Sequence, residues 1–133
     1  MKFSRKTDYG IILMEALRPS FASGKFIALA EVARQEGLPV LFVAKLAEAL
    51  CKKGYLEAKR GLGGGYRMVR DPKIITLKEL IDAFEEPPML RCMKSSDPKK
   101  HCSLAATCPT RKTWNGIDEK VDALFQNVTL ASL

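Results

Sequence analysis

Residues 61 to 65 read Gly-Leu-Gly-Gly-Gly. No helix or long strand passes through such a run, because each glycine loses the most backbone freedom on ordering and brings no side chain to pack. The chain must turn here. Tyr55 to Arg60 before the run and Tyr66 to Arg70 after it are short and of strand type, so the glycines are the expected tip of a β-hairpin. The hairpin follows directly on a helix. Pro39 suits a first helical turn. Phe42, Leu46 and Leu50 recur four apart on the face expected to be buried, with Leu41, Ala44, Lys45 and Glu48 on other faces. Gly54 closes that helix.

Two helices are expected upstream. Tyr9, Ile12, Leu13, Ala16 and Leu17 fall on one face of the first, with Ser4 as N-cap and Pro19 as its stop. Pro19 to Phe26 is expected as a loop, and a short helix follows within residues 28–36, ended by Gly37. The tight turn at Glu36-Gly37-Leu38-Pro39 joins the second helix to the third as a helix-turn-helix, and the hairpin behind it is a wing. The fold class is therefore mainly α with a small β-hairpin wing: a winged helix-turn-helix. Asp71-Pro72 then breaks the chain. Thr76 and Glu79 form a capping box ahead of Leu77, Leu80, Ile81 and Phe84, and Glu85-Glu86-Pro87-Pro88 ends that helix. Trp114, Ile117, Val121, Leu124 and Val128 step by three and four residues along a last long helix, the pattern of a coiled-coil seam. Such a seam pairs with another chain or packs on its own domain. The expected units are 1–86 (DNA-binding), 87–111 (cysteine-bearing loop) and 112–133 (dimerisation helix).

Charge points to a polyanionic partner. The formal net charge is +7. Lys45, Lys52, Lys53, Lys59, Arg60, Arg67 and Arg70, set against Glu48 and Glu57, place +5 of it between residues 45 and 70. A positive stripe on a helix and its wing is the electrostatic footprint of a DNA-binding face. On that reading the third helix leads into the major groove with Pro39, Val40, Leu41, Ala44 and Lys45, where Lys45 donates and the apolar residues meet thymine methyls. Lys59, Arg60, Gly63, Gly64, Gly65 and Tyr66 are the wing's DNA-binding candidates. Solvated basic residues on a flexible hairpin are the bland alternative. A phosphate-binding P-loop is excluded, since no Gly-Lys-Ser/Thr follows the glycines.

Cys92, Cys102 and Cys108 lie in a polar stretch with the spacing C-x9-C-x5-C. The close cysteine pair of zinc sites is absent. Three thiolates in one loop suit an iron–sulfur cluster completed by a ligand from elsewhere, and three free thiols or a redox disulfide remain as alternatives. His101, the single histidine, adjoins Cys102; Lys94, Lys99 and Lys100 would offset thiolate charge. Cys51 reads as a small half-buried hydrophobe. One histidine, no G-x-S-x-G and no suggestive carboxylate pair argue against an enzyme. There is no membrane-spanning apolar run and no signal-peptide pattern at the N-terminus, so a reducing cytoplasm is the expected location.

The N-terminal KFSRKTDYG, the segment LAEALCKKGYLEAKRGLGGGY, the capped ITLKELIDAFE and the cysteine loop occur in the order of the Rrf2 family of bacterial winged-helix regulators, which this chain resembles over nearly its whole length. The resemblance implies a homodimer paired through the C-terminal helix, wings in the minor groove and third helices in the adjacent major groove of double-stranded DNA. It implies a transcription regulator, expected to be a repressor. It also implies a 2Fe–2S or 4Fe–4S cluster on Cys92, Cys102 and Cys108, responding to nitric oxide, an oxidant or iron status. The TDYG segment is most similar to the nitric-oxide-sensing branch, in which the aspartate at the place of Asp8 reaches the cluster of the partner subunit. Two features depart from the family. The stretch between Cys92 and Cys102 is longer than in many members, and Arg111 stands where some carry a histidine ligand. Asp8, and after it His101, is left as fourth ligand. A cluster-free thiol switch on DNA and a winged-helix protein adaptor are the alternative functions.

Overall fold

Helix α1, Arg5–Leu17, forms the centre of the molecule, whose computed structural model describes residues 2–86, 90–93 and 97–133. Pro87 and Pro88, expected to stop a helix, and Lys94, expected to offset thiolate charge, lie outside the described residues. The order continues with α2 (Pro19–Ser23), α3 (Leu29–Glu36), α4 (Val40–Lys52), β1 (Leu56–Lys59), β2 (Gly65–Met68), α5 (Leu77–Phe84) and α6 (Arg111–Gln126), with short 3-10 turns at Arg91–Met93, Pro98–Lys100 and Leu130–Ser132. β1 and β2 pair antiparallel, Leu56 opposite Met68 and Lys59 opposite Gly65. The winged helix-turn-helix read from the sequence is thus present.

Pro19 does end α1, but not into a loop. Proline serves well as the first residue of a helix, and α2 fills the expected loop. The helix expected to lead into DNA is therefore the fourth, not the third. Buried Ser20 in α2 donates from Oγ to the Leu17 carbonyl at 2.5 Å and accepts the Met68 N–H at 2.8 Å, which ties the helix to the wing. Ile27 extends the hairpin: its N–H donates to the Tyr66 carbonyl at 2.9 Å, and the Tyr66 N–H donates back at 2.8 Å.

The buried face of α1 also differs. Thr7, Gly10, Leu13, Met14 and Leu17 face inward, whereas Tyr9, Ile12 and Ala16 are half-buried. Gly10 accounts for the rotation. A β-carbon there would sit 2.3 Å from the Phe84 ring, so α5 presses directly on the α1 backbone. Tyr9 packs edge-on against Phe42 of α4, with ring centroids 5.6 Å apart. The core joins Leu13, Met14 and Leu17 to Val32, Val43, Leu46, Leu50, Leu56, Met68, Ile75, Leu80 and Leu130.

Ser4 stands at the N-cap position of α1, yet its side chain caps nothing. Its N–H donates instead to Glu85 Oε1 at 2.6 Å, and the Thr7 hydroxyl donates to the same oxygen at 2.5 Å. Those bonds, Thr7's first, hold the Glu85 carboxyl below the ordinary glutamate range. A carboxyl depressed in the folded state adds stability that is present above its unfolded pKa and lost as pH falls through the folded value. Glu85→Gln is thus expected to cost about 1 kcal/mol at neutral pH. The difference from wild type should shrink in urea titrations carried below about pH 4; a pH-independent difference would contradict the charge-assisted tie.

The expected single helix over 112–133 is corrected. α6 stops at Gln126, and Val128 lies past its end, so the seam within the helix closes at Leu124. The tail returns along residues 72–77: Leu77 N–H donates to the Val128 carbonyl at 2.8 Å, Leu130 N–H to Ile75 at 2.9 Å and Ala131 N–H to Pro72 at 3.0 Å. Among the described residues no helix is long and apolar enough to cross a membrane.

Candidate nucleic-acid interface and cysteine loop

The capping box at Thr76 and Glu79 is present, and with it a division of labour among the basic residues. Arg70 pairs with Glu79 at 3.0 Å and lies over the Tyr55 ring. Arg67 pairs with Glu57, donates to the Gly24 carbonyl at 2.9 Å and stacks on Phe26 with its guanidinium 4.6 Å from the centroid. Lys52 pairs with Glu48 at 3.0 Å. Of the seven cations counted from the sequence, these three have internal partners. Lys45, Lys53 and Arg60 are exposed with no carboxylate partner among the described residues, and the exposed Lys59 lies over the Phe26 ring, 5.7 Å from its centroid. The positive charge available to a ligand therefore sits on one side of α4 and on the outgoing limb of the wing.

Two apolar side chains open to solvent head α4. Val40 is 48% exposed and Leu41 82% exposed, so Leu41 in particular contributes little to this chain's own core. Phe42 and Val43 turn inward behind them, so the helix presents its first turn and Lys45 outward while it is anchored by Leu46, Ala47 and Leu50.

The wing glycines serve two ends. Gly61 and Gly63 take left-handed φ of 91° and 69°, and a β-carbon on either would meet open space. At Gly64 a β-carbon would lie 2.3 Å from the Lys59 carbonyl oxygen, and at Gly65 2.2 Å from that of Ile27. The inner pair of glycines is thus required by the hairpin's own packing, whatever it binds. Tyr66 is half-buried against the core and paired with Ile27. The contribution of Phe26 and Ile27 escapes sequence reading, since they stand outside any alternating run; the neighbouring Gly24, left-handed at 69°, is the one cue to a turn there.

Cys92, Cys102 and Cys108 are all free thiols and half-buried, as is Cys51 in α4. Burial pushes the Cys51 thiol upward. A hydrogen bond with the Thr110 hydroxyl, 3.4 Å from Sγ, holds the Cys108 thiol below its usual range. Asp8 is exposed in the first turn of α1 and His101 is exposed beside Cys102. Among the described residues no three His, Cys, Asp or Glu side chains converge closely enough to hold a metal ion. The donor types suit a thiolate-bound iron cluster; their positions do not yet gather. Arg111 braces the loop by donating to the Ala105 carbonyl at 3.1 Å.

Along α6, Trp114, Ile117 and Leu124 are exposed, Leu124 to 67%, and Val121 is half-buried. The neighbouring face docks inward. Asp122 lies 3.5 Å from Lys78, which also pairs with Asp82 of α5 at 2.5 Å, and the Phe125 ring meets Phe3 edge-on at 5.8 Å. The helix is held through that second face, and most of the seam is left open.

The family model described as an iron-dependent transcriptional regulator, Rrf2, matches residues 3–133. The HTH-type transcriptional regulator IscR of Yersinia enterocolitica is 27% identical over 134 residues, a match covering 100% of this chain and 79% of the relative. IscR of Klebsiella pneumoniae is likewise 27% identical, over 100% and 79%. Among solved structures, T. potens IscR superposes with a TM-score of 0.75 at 25% identity, over 99% of this chain and 85% of that one. CymR, the global cysteine regulator of B. subtilis, gives 0.75 at 24% identity over 99% and 95%, and shares the fold. These relatives are transcriptional regulators rather than enzymes. With its helix-turn-helix, bared helix end and glycine-tipped hairpin all inside the matched region, the chain belongs to the Rrf2 family of DNA-binding transcriptional regulators.

Proposed function

We propose that the chain works in the cytoplasm as a homodimeric repressor whose grip on DNA is governed by an iron–sulfur cluster, 2Fe–2S or 4Fe–4S, on Cys92, Cys102 and Cys108. Asp8 is the fourth ligand, with His101 behind it. The single observation that carries this reading is the presence of three free, half-buried thiols in the one segment that leads into α6. When bound, the cluster supplies a centre reactive toward nitric oxide and oxidants. Everything else is done by the chain itself. α4 offers Val40, Leu41 and Lys45 to the major groove; Lys59 and Arg60 hold phosphates beside the minor groove; Trp114, Ile117, Val121 and Leu124 pair the two copies.

Gathering the three thiols requires the loop to rearrange. Arg111 at the start of α6 is bonded to Ala105 within that loop, α6 is tied to α5 through Asp122 and Lys78, and α5 to α1 through Phe84 on Gly10 and Glu85 on Thr7. A shift in the loop thereby reaches the helices that set the spacing of the two DNA-reading helices. That spacing should match half-sites about one helical turn, roughly 34 Å, apart.

Protein purified without oxygen should be coloured and contain iron and sulfide. Cys102→Ala is expected to abolish the visible absorbance, and colour retained in that variant would exclude ligation by this thiol. Colourless, iron-free protein after reconstitution overturns the cluster reading. A disulfide between two of the three loop cysteines, with DNA binding intact, would then mark a thiol switch. Arg60→Ala should weaken DNA binding and flatten its salt dependence, by about 0.9 in the log–log slope for each phosphate no longer neutralised. Arg70→Ala, with its guanidinium already committed to Glu79 and Tyr55, should leave the slope unchanged.

A further inference from the structure

Leu62 stands at the apex of the wing with its side chain wholly in solvent, at 102% of its reference exposure. Its position is fixed rather than loose. The Gly64 N–H donates to the Gly61 carbonyl at 3.0 Å, closing a β-turn over residues 61–64. Gly63, with φ of 69°, takes the left-handed place that a type II turn needs at its second central residue, which leaves Leu62 as the first. Beneath the apex, Gly64 and Gly65 are pressed on the Lys59 and Ile27 carbonyls with no room for a β-carbon. Between Arg60 and Tyr66, Leu62 carries the one side chain, flanked by bare glycine backbone. The turn therefore presents a single apolar prong on a braced base.

The chemistry around the prong selects its partner. Lys59 and Arg60 immediately precede the turn and are exposed, so the apex is delivered to a polyanion. An exposed leucine gains nothing from phosphates or water. On a duplex, the apolar surface within reach of a narrow hairpin is the face of a base pair, reached from the minor groove when a step opens. Minor-groove binders insert apolar side chains in this way and kink the duplex.

We infer that Leu62 is a wedge that enters the minor groove between stacked base pairs, bends the operator, and gives this chain a preference for an easily opened base step under each wing. The inference rests on the DNA-binding reading above and adds to it a specificity-determining residue that makes no hydrogen bond to a base. Pyrimidine–purine steps, the most readily unstacked, are the expected targets. A kink there folds the duplex toward its major groove, the groove assigned to Val40 and Leu41.

The test uses the full chain and duplexes that the wild-type protein recovers from a random-sequence pool, labelled at both ends for energy transfer. Wild type is expected to bend them by about 20–90° and to enrich a pyrimidine–purine step at wing positions. Leu62→Ala should lose most of the bend and about tenfold in affinity, while its salt slope stays that of wild type. Leu62→Met should keep the bend. An equal bend with alanine, or an unbent wild-type complex, overturns the wedge and leaves DNA binding standing. Failure of the wild type to recover any duplex overturns the DNA reading itself, and the wedge with it.

Discussion

Gly65→Ala is expected to lower the unfolding free energy by about 3–5 kcal/mol, as overpacking adds to backbone strain. Gly65 has φ of 141°, outside the range of ordinary L residues, and its added β-carbon would lie 2.2 Å from the Ile27 carbonyl oxygen, 2.5 Å from its carbon and 2.8 Å from the Ala28 nitrogen. All three atoms are backbone, so no rotamer change makes room. Relief requires the Ile27 segment to leave Tyr66, which breaks both hydrogen bonds of that bridge and detaches the wing from the helices. Gly61→Ala is the matched control. Gly61 is also left-handed, at φ 91°, but a β-carbon there meets nothing within 4 Å, so only the conformational cost of about 1–2 kcal/mol applies. Urea unfolding of the two variants separates the terms. Equal losses would mean that the bridge to Ile27 carries no stability. Gly65→Ala should also lower DNA affinity below that of Gly61→Ala, because only the former moves the base on which Lys59 and Arg60 stand.

These two glycines show how far sequence reading reaches. That a turn lies within residues 61–65 follows from composition alone, and the helix ends at Gly37 and Gly54 follow from the same residue type after an apolar periodic run. The capping box at Thr76 is legible because it is a local device with fixed spacing. What separates Gly61 from Gly65 is not local. It depends on Ile27, nearly forty positions away, a residue that carries no pattern of its own. Gly10 is a similar case: hydrophobic periodicity is blind to a residue without a side chain, so α1 is read with its face turned toward Tyr9 and Ile12 when it in fact seats Phe84. The count of basic residues between 45 and 70 cannot see that Arg67 and Arg70 commit their charge to Glu57 and Glu79. The cysteines are the opposite instance. Their residue type and clustering are plain in the sequence, while among the described residues their side chains do not converge, because closeness along a loop does not fix distance in space.

Leu130→Ala should cost about 3–4 kcal/mol, near the middle of the range for emptying a fully buried leucine site. By its place in the dimerisation helix expected over residues 112–133, Leu130 would belong to a separate unit, and its truncation would then leave unfolding of the DNA-binding part untouched. The packing argues otherwise. Leu130 is 0% exposed within the same core as Leu80, Ile75 and Leu13, and its N–H is bonded to the Ile75 carbonyl at 2.9 Å. Leu133, three residues on and 54% exposed, is the comparison: Leu133→Ala should stay within about 0.5 kcal/mol of wild type. The decisive measurement is made on two probes, near-ultraviolet signal from Trp114 in α6 and far-ultraviolet signal from the helices as a whole. If the tail belongs to the common core, both transitions shift together to lower urea in Leu130→Ala. A shift confined to the Trp114 signal would mean that α6 and the tail unfold on their own, and would remove the path by which the cysteine loop is argued to reach α5 and α1.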